Sequence, residues 1–219
     1  MWFREEEDLD RDLAFMRAEF RAGFELIARI DRPAVSIFGS ARTPPDHEWY
    51  RQTMAIAAGF VREGFAVITG GGPGIMEAGN RGAQEAGGLS VGLGISLPSE
   101  PALNPWIDLA YEFKHFYARK VCFVKASEGF VACPGGWGTN DELYEALTLI
   151  QTRKVLHFPV VLFGTNHWSP FQAWSEQMLA EGLIAGEDLD LYTITDDPAE
   201  AVRTVVACFR RECGHAVAS

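Results

Sequence analysis

Two glycine-rich loops, each lying between an apolar run and a helix-like segment, carry the residues of this chain that could do chemistry. The loop at 70–77 follows the apolar run 65–69, and the loop at 134–142 follows the apolar run 129–133. An apolar run, then glycines, then a helical pattern predict a strand, a tight loop and a helix N-terminus. Such a loop directs unpaired backbone N–H groups and the positive helix end toward its occupant, which suits a phosphate. Two loops of this kind indicate one phosphorylated ligand held from two sides.

Neither loop matches the common nucleotide-binding motifs. No Gly-Lys-Ser/Thr follows the glycines, so a Walker loop is excluded. Neither fits GxGxxG with an acidic residue about 20 positions later, so a dinucleotide site is not supported. Glycine suits these positions because a Cβ would block close approach of the backbone to a ligand. The amides and the hydroxyl predicted to hold the phosphate belong to Gly71, Gly72, Gly135, Gly136, Gly138 and Thr139.

Composition narrows the class of protein. At 219 residues and 47% hydrophobic, the chain can bury a large core, and no Pro/Ser-rich linker divides it. A net charge of −11 argues against nucleic acid or an anionic membrane as the main partner, but not against a small anionic ligand. No apolar run approaches the ~20 residues that span a bilayer, and the acidic start is unlike a signal peptide. We therefore expect a cytoplasmic protein.

The cysteines and histidines give no sign of a metal centre. The four cysteines are Cys122, Cys133, Cys208 and Cys213. They fall at no metal-ligand spacing, and we expect buried thiols in a reducing compartment. No His/Cys/Asp cluster has metal-ligand spacing, so neither a metal nor another cofactor is expected.

Apolar runs alternate with helical patterns from residue 33 onward. Strands are predicted at 34–38, 65–69, 89–95, 107–111, 129–133, 159–163 and 191–194. Helices are predicted at 47–63, 75–86, 116–127, 140–151, 169–181 and 198–212. Strands that are apolar throughout and alternate with long helices indicate a parallel sheet covered on both faces. We therefore predict an α/β, Rossmann-like domain of six to seven strands over 31–219.

The remaining segment, residues 1–30, is predicted to be an N-terminal helical extension, because its apolar residues recur every three or four positions. In parallel sheets, ligands bind beyond the carboxyl ends of the strands, where the chain reverses its direction of winding. Both glycine loops follow predicted strands, and so does the loop 39–42 after the first strand. Gly39 and Ser40 therefore join the predicted site.

With these residues assembled, the chain resembles the LONELY GUY family, the cytokinin riboside 5'-monophosphate phosphoribohydrolases and related bacterial "lysine decarboxylase-like" proteins. The resemblance covers roughly residues 33–195. It is carried by the PGGxGTxxE pattern at 134–142, by GGGPGIMEA at 70–78 and by the pair Arg119-Lys120. The stretches 97–100, 104–108 and 147–152 look most like the longer bacterial branch. No pyridoxal-phosphate lysine motif accompanies the decarboxylase label.

The resemblance implies an activity and two catalytic residues. It implies that a nucleoside 5'-monophosphate, AMP or a cytokinin riboside monophosphate, is hydrolysed to free base and ribose 5-phosphate. Glu142 would stabilise an oxocarbenium-like ribose and orient or deprotonate a water. Arg119 would complement the phosphate or position the carboxylate.

The resemblance also implies further contacts. Glu100 is expected to accept hydrogen bonds from ribose hydroxyls. The other substrate-binding candidates are Gly70, Gly74, Met76, Lys120, Pro134, Trp137 and Thr148. The family's shared dimer implies a homodimer with its seam along 116–124 and 143–150.

Two non-catalytic hypotheses compete with the hydrolase. The first is a binding protein of the same fold, such as a molybdenum-cofactor or nucleotide carrier. The second is a nucleotide-sensing module in which residues 1–30 relay occupancy to a partner. A carrier need not keep Arg119 and Glu142 together, so the presence of both favours the enzyme.

Overall fold

Seven parallel strands form one sheet in the order β4-β3-β2-β1-β5-β6-β7. The structure, a computed structural model, describes residues 6–97, 103–156 and 158–210. The strands are β1 Ala34–Phe38, β2 Ala66–Thr69, β3 Ser90–Ile95, β4 Leu109–Phe113, β5 Phe130–Ala132, β6 Val160–Phe163 and β7 Tyr192–Thr195. The helices are α1 Glu6–Ile27, α2 Glu48–Arg62, α3 Ile75–Glu85, α4 Phe116–Ala126, α5 Trp137–Gln151, α6 Thr165–Ala180 and α7 Pro198–Arg210, with a short 3-10 helix at Gly186–Leu191. The predicted α/β, Rossmann-like fold is confirmed.

The helices cover both faces of the sheet. Every residue of β1, β2, β5 and β6 is buried, as expected for strands that pack on two sides. On one face, a buried cluster joins side chains of α1, α4, α5 and α6, including Leu26, Phe123 and Trp168. On the other face, α2, α3 and α7 contribute a second cluster, which includes Phe60 and Val205. The sheet is therefore the middle layer of three.

The direction of winding reverses between β1 and β5. The chain moves outward from β1 through β2 and β3 to β4, and β5, β6 and β7 then extend the sheet on the other side of β1. The carboxyl ends of β1 and β5 lie side by side, because the N–H of Cys133 donates to the Phe38 carbonyl at 2.8 Å and that of Ser40 to the Pro134 carbonyl at 3.0 Å. This is the switch point at which ligands bind in sheets of this kind.

Two helices begin earlier than the sequence predicts. Helix α5 begins at Trp137 rather than at Asn140, so Gly138 and Thr139 belong to its first turn. Helix α6 begins at Thr165 rather than at Ser169 and contains Pro170. Proline cannot donate to the carbonyl four residues earlier. The Ser169 hydroxyl donates to that carbonyl of Asn166 at 3.2 Å, so the missing bond does not end the helix.

The described part of the predicted N-terminal extension is helix α1, which packs against α4 and β4. Its Glu19 is only 2% exposed. One carboxylate oxygen accepts from the Lys114 N–H, and the other lies 2.6 Å from Nδ1 of His115, the residue just before α4. Helix α1 is thus fastened to the start of α4. None of the helices in the described ranges is long and apolar enough to cross a membrane. The predicted division into two units at residue 31 remains a prediction.

Candidate active site

A cleft of about 410 Å³ opens at the carboxyl ends of β1 and β5. Its lining comes from the ends of β1 and β3, from the loops after β1, β2, β3 and β5, and from helices α3, α4 and α5. Ten of the predicted site residues lie in this lining: Gly39, Ser40, Gly70, Met76, Arg119, Gly136, Trp137, Gly138, Thr139 and Glu142. The fold thus brings residues separated by a hundred positions in the chain around one space.

Glu142 is the buried acid of the cleft. It lies in the second turn of α5, its residue is 4% exposed, and its Oε2 has no hydrogen-bond partner within the described part of the chain. Burial raises the pKa of Glu142 to about 7, while the charges of Arg119 and Lys120 act in the opposite direction. An unpaired carboxyl oxygen with a pKa near neutrality suits proton transfer or stabilisation of a developing cation.

Arg119 extends from α4 toward the same space. Its Nε donates to the carbonyl of Leu93 at 2.7 Å, and its guanidinium carbon lies 5.1 Å from the centre of the Phe123 ring. A Cβ at Gly70 would collide with Nη2 of Arg119 and would lie 2.7 Å from Sδ of Met76. A side chain at position 70 would therefore displace the end of Arg119, which crosses directly over the loop backbone.

The loop at 70–77 is held mainly by hydrogen bonds to side chains that do not line the cleft. The N–H of Gly71 donates to Oγ1 of Thr69 at 2.9 Å, which occupies the amide that the sequence assigns to the phosphate. Nδ2 of Asn104 donates to the carbonyls of Gly71 and Gly72, both at 3.0 Å, and to Oδ1 of Asn80 at 2.9 Å. Gly71 and Gly72 lie outside the lining of the cleft, in contrast to Gly70.

Gly74 sets the distance between two loops. Its φ is +67°, which favours glycine, and a Cβ there would collide with the Ser40 carbonyl. That carbonyl accepts the N–H of Ile75, the first residue of α3, at 3.0 Å. Gly74 therefore joins the loops after β1 and β2 and does not itself line the cleft.

The remaining predicted residues lie elsewhere. Lys120 pairs with Asp141 at 2.9 Å and with Glu145 at 3.2 Å, both on α5, and does not line the cleft. Thr148 is exposed, and its hydroxyl donates to the Tyr144 carbonyl at 2.7 Å. Pro134 and Gly135 line a neighbouring pocket rather than the cleft. Glu100 lies outside the described residues.

Several cleft residues escaped the prediction. They are Phe38, Ala41, Arg42, Ile95, Leu97 and Phe116. Arg42 lies two residues after Ser40, in the loop that the sequence predicts at the switch point. Its position in that loop could therefore have identified it as a site residue. The apolar members come from the ends of β1 and β3, from the loops after these strands and from the start of α4, and nothing in their spacing separates them from core residues. Trp137, at 93% exposed, stands at the mouth of the cleft.

Comparison with known proteins gives consistent results. The family described as "possible lysine decarboxylase" matches residues 76–205, more than half of the chain. A cytokinin riboside 5'-monophosphate phosphoribohydrolase of Mycobacterium tuberculosis is 25% identical over 168 residues, which cover 74% of this chain and 88% of the relative. A probable enzyme of the same name from rice (Oryza sativa subsp. japonica) is 30% identical over 141 residues, covering 61% of this chain and only 56% of the relative.

A solved structure shares the fold. The molybdenum cofactor carrier protein of Chlamydomonas reinhardtii superposes with a TM-score of 0.61 at 22% identity, covering 82% of this chain and 99% of the carrier. At that identity the likeness extends to the fold alone. The family match covers α3 through β7, and with them Arg119 and the loop from Pro134 to Glu142. The chain therefore belongs to the possible lysine decarboxylase family, the LONELY GUY family of the sequence resemblance.

Proposed function

We propose that the protein hydrolyses the N-glycosidic bond of a nucleoside 5'-monophosphate to free base and ribose 5-phosphate. The observation that carries the proposal is the buried Glu142, whose unpaired Oε2 and pKa of about 7 occur in a cleft that Arg119 also lines. Two relatives are named for this reaction, with cytokinin riboside monophosphates as substrates.

The 5'-phosphate is proposed to lie against the first turn of α5. The first hydrogen bond within that helix runs from the Asn140 N–H to the Gly136 carbonyl, so the amides before Asn140 have no partner inside the helix. Gly138 and Thr139 line the cleft there, and Ser40 faces them from the loop after β1. Unpaired amides and the positive end of the helix dipole favour a phosphate at this end.

The ribose would then extend toward Glu142, one turn further along α5. The ionised carboxylate would stabilise the positive charge that develops on C1' as the base departs, and it would accept a proton from the water that attacks C1'. Arg119 would favour the ionised form, because its charge lowers the pKa of Glu142 against the effect of burial. The oxygen of the water becomes the anomeric hydroxyl of ribose 5-phosphate, and the proton that Glu142 takes from the water balances the proton that the departing base gains.

The base is proposed to contact the apolar wall of the cleft. Met76, Ile95, Leu97 and Phe116 line that side. Apolar and aromatic side chains suit contact with a purine ring, so AMP or its N6-prenylated cytokinin form is the proposed substrate. Phe116 is also one of the exposed aromatic residues along the predicted dimer seam, together with Tyr117 and Tyr144. We keep the homodimer through this seam as part of the proposal.

The experiment measures, by chromatography, the release of free base from a panel of nucleoside 5'-monophosphates. Wild type is compared with Glu142→Gln, which keeps the shape of the side chain but cannot take a proton. Glu145→Gln, one turn further along α5, is the matched control. We expect release from a purine monophosphate, a loss of about a hundredfold or more in the Glu142 variant and near-normal activity in the control.

The other results separate the rival functions. Tight nucleotide binding without release of base from any panel member would reject the hydrolase and leave a carrier or a sensor. An equal loss of activity in the Glu142 and Glu145 variants would mean that Glu142 contributes only to the negative charge of α5 and does not act on the substrate itself.

A further inference from the structure

A second pocket of about 450 Å³ adjoins the cleft across the loop between β5 and α5. We call it the side pocket; its lining is Ser40, Arg42, Thr43, Pro44, His47, Trp49, Pro134, Gly135, Gly136 and His167. Ser40, Arg42 and Gly136 line both spaces. These shared residues lie at the end of the cleft where we propose the 5'-phosphate. A group attached to that phosphate would therefore enter the side pocket.

The charge of the side pocket differs from that of the chain. The protein has a net charge of −11, yet no carboxylate occurs among the residues that line this pocket. Arg42 is exposed, and within the described ranges its guanidinium has neither a hydrogen bond nor an ion pair to another side chain. A guanidinium available at the junction of two spaces can bind phosphate oxygens in pairs.

Two imidazole rings add hydrogen-bond donors to the wall. Nδ1 of His47 accepts the Trp49 N–H at 3.1 Å, which places the proton of the neutral ring on Nε2. Nε2 of His167 accepts the Gly135 N–H at 3.4 Å, which places its proton on Nδ1. Burial lowers the pKa of His167, which favours its neutral form. Each ring thus keeps one N–H, and the lining as a whole offers donors and no acidic acceptor.

We propose that the side pocket binds the second phosphoryl group of a nucleoside 5'-diphosphate whose monophosphate part occupies the cleft. Arg42 contacts both phosphoryl groups, and His47 contacts only the second. This inference rests on the proposed function for the placement of the first phosphate. It predicts that diphosphates bind to the protein and compete with the monophosphate substrate.

Calorimetric titration with AMP and with ADP tests the inference, using the full chain carrying Glu142→Gln so that turnover does not disturb the equilibrium. ADP is expected to bind about tenfold more tightly than AMP, as one additional charge-assisted hydrogen bond predicts. His47→Asn is the informative variant, because asparagine still caps α2 but lacks the ring N–H. It should reduce the ratio of the two affinities while leaving AMP binding unchanged. Arg42→Gln should weaken both ligands, and Arg29→Gln, an exposed arginine on the segment after α1, should change neither.

Several results would overturn the inference. ADP binding equal to or weaker than AMP would do so, as would an affinity ratio that both variants leave unchanged. If the Glu142 variant does not fold, inhibition of wild-type AMP hydrolysis by ADP replaces the titration, and absence of competition has the same meaning. If AMP binds and is hydrolysed but ADP does not bind, this inference alone is rejected. If neither nucleotide binds, the proposed function is rejected with it.

Discussion

Replacing Glu142 with glutamine is expected to change how the stability of the protein depends on pH. The residue Glu142 is 4% exposed, and burial is the largest cause of the rise in the pKa of its carboxyl group from an ordinary value of 4.5 to about 7. The folded protein therefore holds this proton more tightly than the unfolded chain does. Because the folded state binds more protons, the free energy of unfolding falls as pH rises from about 4.5 to about 7 and then levels off.

The size of this effect follows from the shift. One pKa unit corresponds to 1.36 kcal/mol, so the rise to about 7 is equivalent to about 3 kcal/mol, most of it between pH 5 and pH 8. Glutamine has nearly the same shape and does not titrate in this range. Relative to wild type, the variant should therefore gain about 2–3 kcal/mol of stability between pH 5 and pH 8.

Urea denaturation at four pH values between 5 and 8 measures the difference. Every group that titrates alike in the two proteins cancels, so the change in the difference with pH reports on Glu142. The same substitution at Glu25, an exposed carboxyl on α1, isolates the contribution of burial. A difference between wild type and Glu142→Gln that stays constant within about 0.5 kcal/mol would refute the reasoning, because the burial would then impose no cost on the charged form.

Three further predictions concern the supports of the site. Gly70→Ala should displace the side chain of Arg119 and reduce base release by about a hundredfold, and steady-state rates equal to wild type would contradict this. Asn104→Ala should cost about 1–3 kcal/mol in urea denaturation, because the carbonyls of Gly71 and Gly72 each lose a side-chain donor and the Trp106 N–H loses its acceptor; a loss below about 0.5 kcal/mol would show that the network is dispensable. Glu19→Ala removes the contact with His115 and should speed hydrogen exchange in α1, whereas unchanged exchange would mean that this contact does not hold the helix.

Much of the fold could be predicted from the sequence because the strands are apolar throughout and the helices between them are long. The sequence predicts all seven strands and the helices between them, and the glycine loops indicate the edge of the sheet at which the cleft opens. The errors fall at boundaries where tertiary contacts decide. Helix α6 continues through Pro170 because the Ser169 hydroxyl replaces the N–H that proline lacks. No sequence pattern predicts that hydrogen bond.

The site could be predicted less completely, for a physical reason. Sequence motifs indicate which residues share a loop, but not which way each amide points. The Gly71 N–H turns toward Thr69, and its carbonyl is held by Asn104, which lies 33 positions further along the chain. Lys120 follows Arg119 directly, yet on a helix neighbouring residues face different directions, and Lys120 pairs with the acids of α5 instead.

The pH dependence of base release from AMP tests the central claim most directly. The account predicts that the wild-type protein releases free base and ribose 5-phosphate in equal amounts, with kcat/KM rising as pH increases through about 7, as ionisation of Glu142 requires. The Glu142→Gln variant should have little activity at any pH. Absence of base release over the whole pH range, or a wild-type rate independent of pH between 5 and 8, would contradict the account.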